Sequence, residues 1–199
     1  MTEATSQDRI VTVPNALSLL RLLGIPVFVY LLLGPRADGW ALALLMIIGA
    51  TDWLDGKLAR LLDQSSRLGA LLDPLVDRLF VVTVLVAFAV RGIIPWWVAA
   101  LLIGRDAILG LTMFVYKSRG LPPPDVIYLG KAATFVIMSA LPILLAAQGD
   151  WVVSVVADPV GHALLVWGTG LYVWTGALYL IKAIRVARRI PVVGRADRK

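Results

Sequence analysis

Six apolar runs alternate along this chain with short polar or Pro/Gly-rich breaks, and each is long enough to make a membrane-crossing helix. Pro14-Asn15 opens the first, Ala16 to Leu33, which is interrupted only by Ser18 and Arg21; proline suits a first helical turn. It lacks the charged lead and small-residue cleavage site of a signal peptide, so it reads as retained. A turn at Gly34–Gly39 leads to the second run, Trp40 to Leu62, and the third extends from Leu68 to Val90. Gly92 to Pro95 forms a tight turn before Trp96-Trp97, an aromatic pair of the kind found at membrane interfaces. The fourth run reaches about Tyr116, the fifth covers Ile127 to Ala147, and the sixth covers Val160 to Ile184. Between them lie a stiff loop with Pro122-Pro123-Pro124 and a loop from Gln148 to Pro159. The pattern predicts an all-α integral membrane protein, with six transmembrane helices around a polar cavity open to the cytoplasmic side. A polar segment, 1–13, precedes a single membrane domain, 14–189, and a basic tail, 190–199, follows it.

The apolar pattern breaks most sharply between Thr51 and Arg78. Asp52, Asp55, Gly56 and Ala59 are spaced to share one helix face, and so are Gly69, Asp73 and Asp77. The polar turn Asp63-Gln64-Ser65-Ser66 makes the two helices antiparallel neighbours. In such a hairpin Asp52 stands level with Asp77, Asp55 with Asp73, and Ala59 with Gly69. Two tiers of facing carboxylates therefore adjoin a tier of small residues. Four carboxylates this close repel one another, and low dielectric sharpens the repulsion. Two hard divalent cations, Mg²⁺ or Mn²⁺, would relieve it through oxygen ligands and could clamp a pyrophosphate. Gly56, Ala59 and Gly69 leave room for a flat or bulky ligand to meet backbone. Ion pairs with Arg60, Arg67 and Arg78 are the plainer alternative, but they leave the matched heights unexplained.

Composition narrows the chemistry. With 59% hydrophobic and 16% charged residues, and a mean hydropathy of +0.84, the chain is far more apolar than ordinary soluble domains. The absence of Cys excludes disulfides, thiolate catalysis and cysteine metal sites. The single histidine, His162, excludes catalysis by paired histidines. The net charge of +6 is unevenly spread. Arg36 and Arg91 fall on one side, while Arg9, Lys57, Arg60, Arg67, Lys117, Arg119 and the C-terminal cluster fall on the other. The positive-inside rule then places both termini and the aspartate end of the hairpin in the cytoplasm, in a cytoplasmic membrane. No nucleic-acid-binding module accompanies the basic tail. Asp52 lies about twelve residues into its helix, roughly 18 Å from the outer surface, and so within the hydrocarbon on the cytoplasmic side. Ionisable groups at that depth are costly and usually functional. Arg21, Arg78, Arg105 and Lys131 are further intramembrane cations, and together they favour an anionic second substrate. Gly168, Gly170 and Gly176 permit close helix contact.

The spacing D-x2-D-G-x2-A-R-x8-G-x3-D-x3-D is met at all eight positions, by Asp52, Asp55, Gly56, Ala59, Arg60, Gly69, Asp73 and Asp77. It resembles the signature of the CDP-alcohol phosphatidyltransferases, integral membrane enzymes of phospholipid synthesis, and the likeness extends over most of the chain. The resemblance implies that Asp52, Asp55, Asp73 and Asp77 hold two divalent cations on the pyrophosphate of CDP-diacylglycerol. It further implies that Asp77 is the general base, that Asp52, Gly56, Ala59 and Gly69 receive the cytidine nucleotide, and that Arg60 stabilises it by charge. Arg21, Arg78, Arg105 and Lys131 would then bind the phosphate of an anionic lipid or polyol-phosphate acceptor. The stretches G-R-D-A-I-L, G-L-P-P-P and L-G-K-A-A-T are similar to the family branch that uses phosphatidylglycerol, with glycerol 3-phosphate as the alternative acceptor. The family is often dimeric, which makes a homodimer a further expectation. A divalent-cation transporter is the rival from another class; it accounts for the aspartates but gives Gly56, Ala59 and Gly69 no role.

Overall fold

The computed structural model describes residues 13–62, 67–122 and 128–189, and side chains over 18–51, 75–122 and 128–189. The expected N-terminal polar segment up to residue 12, the turn Asp63–Ser66 and the basic tail 190–199 lie outside the described residues. Among the described residues the chain forms six helices: α1 Val13–Leu33, α2 Asp38–Leu62, α3 Arg67–Arg91, α4 Trp96–Ser118, α5 Tyr128–Ala146 and α6 Ser154–Arg189. The first five fall within a few residues of the apolar runs. The sixth corrects the sequence reading at both ends. It begins at Ser154, where a loop to Pro159 was expected, and it continues beyond Ile184 to Arg189. Pro159 is tolerated because it lies near the helix start and deprives only one carbonyl of its partner. The extension past Ile184 is rich in Arg and Ala, good helix formers, and no Gly or Pro intervenes before Pro191.

Two compact units divide the chain: Met1–Ile94 with Gln148–Ser154, and Pro95–Ala147 with Val155–Lys199. In the first, α1 packs against both α2 and α3. Its inward stripe is Ser18, Arg21, Phe28 and Leu32, all buried, whereas Leu19, Leu20, Leu23, Val27 and Tyr30 face outward. A polar-inside, apolar-outside helix is the reverse of a soluble one, and it is what lipid favours. Phe28 meets Phe80 edge-on and stacks on Phe88, which fastens α1 to α3. At the start of α2, Asp38 takes two bonds from Arg91 at the end of α3, one of them 2.7 Å from Nη2 to Oδ2. Gly92, at φ +78°, supplies the left-handed residue that the turn after α3 requires.

In the second unit, α5 buries Gly130, Ala133, Ile137, Ala140, Leu141, Leu144 and Leu145, a stripe of alternating three- and four-residue steps. α6 answers with glycines. A Cβ at Gly161 would lie 2.9 Å from Leu144 Cγ, one at Gly168 would lie 2.7 Å from Ile137 Cδ1, and one at Gly176 would lie 2.8 Å from Arg105 Cγ. Gly161 and Gly168 thus let α5 approach α6, and Gly176 lets α4 approach it. Gly168 and Gly176, expected to permit close helix contact, are used within the chain; Gly170 has nothing within 4 Å.

Among the described residues α4, α5 and α6 are long and apolar enough to cross a membrane, and Ser18–Leu33 and Asp38–Thr51 are shorter apolar stretches. Exposed Phe114, Phe135, Trp167 and Trp174 give the second unit the same outward apolar face as α1. Long apolar helices whose outer surfaces carry large hydrocarbon side chains describe a membrane protein.

Candidate active site

Asp52 and Asp55 lie on α2, and Asp73 and Asp77 lie on α3. The Asp38–Arg91 pair joins the first residue of α2 to the last residue of α3. Asp52 stands as many residues along α2 from Asp38 as Asp77 stands back along α3 from Arg91. The side chains of Asp52, Asp55, Gly56, Ala59, Arg60, Gly69 and Asp73 lie outside the described residues.

Asp77 is described, and it is not alone. Arg21 Nη1 on α1 donates to Asp77 Oδ1. The arginine is 4% exposed and the carboxylate 41% exposed, so the pair runs from the helix interior to an open surface. Arg21, expected at an acceptor phosphate, thus contacts one of the motif aspartates. Arg78, its neighbour in that expectation, is exposed. Among the described residues no group of three or more His, Asp or Glu side chains is close enough to hold a metal. The four motif aspartates would offer carboxylate oxygen, and the chain has no Cys. That chemistry fits hard divalent cations rather than zinc or copper.

The other two expected cations, Arg105 of α4 and Lys131 of α5, line one cavity of about 520 Å³. Its remaining wall is largely hydrocarbon, from Leu109, Met113, Phe135 and Met138, and Tyr179 of α6 also contributes. Lys131 sits 5.6 Å from the centre of the Tyr128 ring. Arg105 is 10% exposed and donates from Nη1 to Asp106 Oδ1 at 3.1 Å. The same carboxylate oxygen accepts from the Tyr172 hydroxyl at 2.7 Å. Arg105 Nη2 donates to Thr175 Oγ1 at 3.4 Å, and its guanidinium carbon lies 3.9 Å from the centre of the Tyr172 ring. Sequence reasoning did not single out Tyr172 or Thr175. The available signal was that Tyr172, Thr175, Gly176 and Tyr179 recur at three- and four-residue steps on one side of α6.

The sequence model for CDP-alcohol phosphatidyltransferases matches residues 11–176, most of the chain and all of the aspartate hairpin. The chain belongs to this family. As a CDP-alcohol phosphatidyltransferase it is an enzyme of phospholipid synthesis, and the cation-transporter alternative falls away. It is 49% identical over 199 residues to a Mycobacterium tuberculosis protein provisionally named a cardiolipin synthase, covering all of this chain and 95% of that one. It is 45% identical over 186 residues to the CMP-forming cardiolipin synthase of Streptomyces coelicolor, covering 91% of this chain and 86% of that one. A more distant relative, 34% identical over 181 residues, is the CDP-diacylglycerol–glycerol-3-phosphate 3-phosphatidyltransferase of Pseudomonas fluorescens, with 84% and 88% of the two chains covered.

Proposed function

We propose that this phosphatidyltransferase makes cardiolipin, transferring the phosphatidyl group of CDP-diacylglycerol to a hydroxyl of phosphatidylglycerol with release of CMP. One observation carries the choice of acceptor: the cavity that holds Arg105 and Lys131 is walled mostly by hydrocarbon. A phosphodiester with attached acyl chains would satisfy both the cations and the walls. Glycerol 3-phosphate would satisfy the cations but has no acyl chains to lie along the walls. The names of the Mycobacterium and Streptomyces relatives agree with this choice. The name of the Pseudomonas relative keeps glycerol 3-phosphate as the second reading.

Asp52, Asp55, Asp73 and Asp77 would hold two Mg²⁺ or Mn²⁺ ions. Bound there, the ions supply positive charge to the pyrophosphate and to the departing CMP. Gly56, Ala59 and Gly69, with Asp52, present a side-chain-poor surface to the cytidine, and Arg60 offsets its charge. Asp77 takes the proton from the acceptor hydroxyl. The freed oxygen bonds to the lipid-side phosphorus while the bond from that phosphorus to the CMP oxygen breaks. Arg21, in contact with Asp77, keeps that carboxylate oriented between turnovers. Most of the rate enhancement comes from orientation and charge stabilisation. Six spans, with both termini and the aspartate end of the hairpin facing the cytoplasm, complete the reading, supported by the one-sided distribution of Lys and Arg.

The test uses purified protein, labelled CDP-diacylglycerol and Mn²⁺ or Mg²⁺, with phosphatidylglycerol or glycerol 3-phosphate offered separately. Cardiolipin and CMP form in the first arm. If phosphatidylglycerophosphate is the only product, the acceptor assignment is wrong and the second reading replaces it.

A further inference from the structure

Arg105 and Asp106 are consecutive residues, and consecutive side chains on a helix point about 100° apart. A hydrogen bond between them therefore needs something to draw both side chains to one place. Tyr172, on α6, touches both: its ring lies beneath the guanidinium, and its hydroxyl donates to the carboxylate oxygen that Arg105 also uses. Thr175, one turn further along α6, accepts the second guanidinium nitrogen. Its own hydroxyl proton is committed to the backbone at Leu171 or Tyr172, so its lone pair faces the arginine. Gly176 leaves the space through which the arginine stem passes. Arg105 Nε is buried and has no hydrogen-bond partner, so the stem has traded one solvation contact for this fixed pose.

We infer that Tyr172 is a positioning residue for the anionic acceptor: it clamps Arg105 and Asp106 into one rigid unit, which holds the guanidinium at the cavity wall. An unbraced arginine has several rotatable bonds and would sample many poses, each at an entropic cost when an anion fixes it. Tyr172 reduces that cost in advance. Tyr172 does not itself line the cavity and acts through Arg105, so its effect belongs in acceptor affinity and not in the chemical step. The inference rests on the reading that Arg105 receives the acceptor.

The experiment compares Tyr172→Phe, Arg105→Gln and the double variant by steady-state kinetics with phosphatidylglycerol varied and CDP-diacylglycerol saturating, and then the reverse. Tyr172→Phe keeps the ring and deletes one hydrogen bond to a charged group, so KM for phosphatidylglycerol rises by about tenfold. KM for CDP-diacylglycerol, kcat and the thermal midpoint in detergent stay close to those of the parent. In the Arg105→Gln background the Tyr172→Phe change adds little, because its effect passes through the arginine. If Arg105→Gln leaves acceptor KM unchanged, the acceptor reading of this cavity fails. If Arg105→Gln raises it while Tyr172→Phe does not, or if the two effects multiply, that reading stands and the positioning role is overturned. Should Tyr172→Phe prove unstable, Thr175→Val removes the other guanidinium contact and is read by the same split, with a smaller rise expected and no rise counting against the inference.

Discussion

In the unit built on α1, α2 and α3, the ion pairs Arg21–Asp77 and Asp38–Arg91 each tie one helix to another. In the unit built on α4, α5 and α6, the carboxylate beside Arg105 is its own chain neighbour, and the helices meet through glycines and through the hydroxyls of Tyr172 and Thr175. Lys131 has no ion pair among the described residues, only the nearby Tyr128 ring. The first unit spends its cations holding helices and carboxylates in register, while the second keeps positive charge beside a cavity.

That contrast can be broken at four points, taken here from the largest expected effect to the smallest. Asp77→Asn removes the proposed base and a metal ligand, and should lower kcat by roughly 10²–10⁴-fold while CDP-diacylglycerol binding remains measurable by equilibrium dialysis. Retained turnover would take Asp77 out of the base role. Asp38→Asn leaves Arg91 without a charged partner in a nearly buried site, and should cost about 3 kcal/mol of stability, read as a lowered midpoint in detergent unfolding. A variant with both residues made apolar should recover part of that loss. If the single variant is as stable as the parent, the first unit does not depend on its ion pairs. Gly168→Ala pushes a methyl against Ile137 and should cost about 1–3 kcal/mol, whereas Gly170→Ala, in open space, should be near neutral in the same assay. Equal effects at the two positions would mean that glycine contact is not what holds α6. Lys131→Gln should raise KM for phosphatidylglycerol by about fivefold or less, since an exposed cation is partly screened by water.

The helices themselves were legible because apolar runs of membrane length are the strongest periodic signal a chain carries. Of the two misplaced ends of α6, the first came from treating Pro159 as a stop when it lies in the first turns of a helix. The aspartate motif stands out in sequence because its residues sit within one local spacing, and the structure adds that Asp52 and Asp55 lie on α2 and Asp73 and Asp77 on α3. The Asp38–Arg91 pair was missed, because both residues were read as charges in separate polar turns. For Arg21, sequence marks a cation within an apolar helix, and the structure adds Asp77 as its partner. Tyr172 escaped notice. Its partner Asp106 lies 66 residues away, and nothing in a run of apolar and aromatic residues marks which hydroxyl will reach across to another helix.

α6 has 36 residues, a rod of about 54 Å at the usual rise. A bilayer's oily interior is only about 30 Å deep. The excess has to stand in water or among headgroups, and the exposed Lys182, Arg185, Arg188 and Arg189 mark one end as the part that does. Across a bilayer, the rod would carry these four positive charges to the waterline, beside the lipid phosphates.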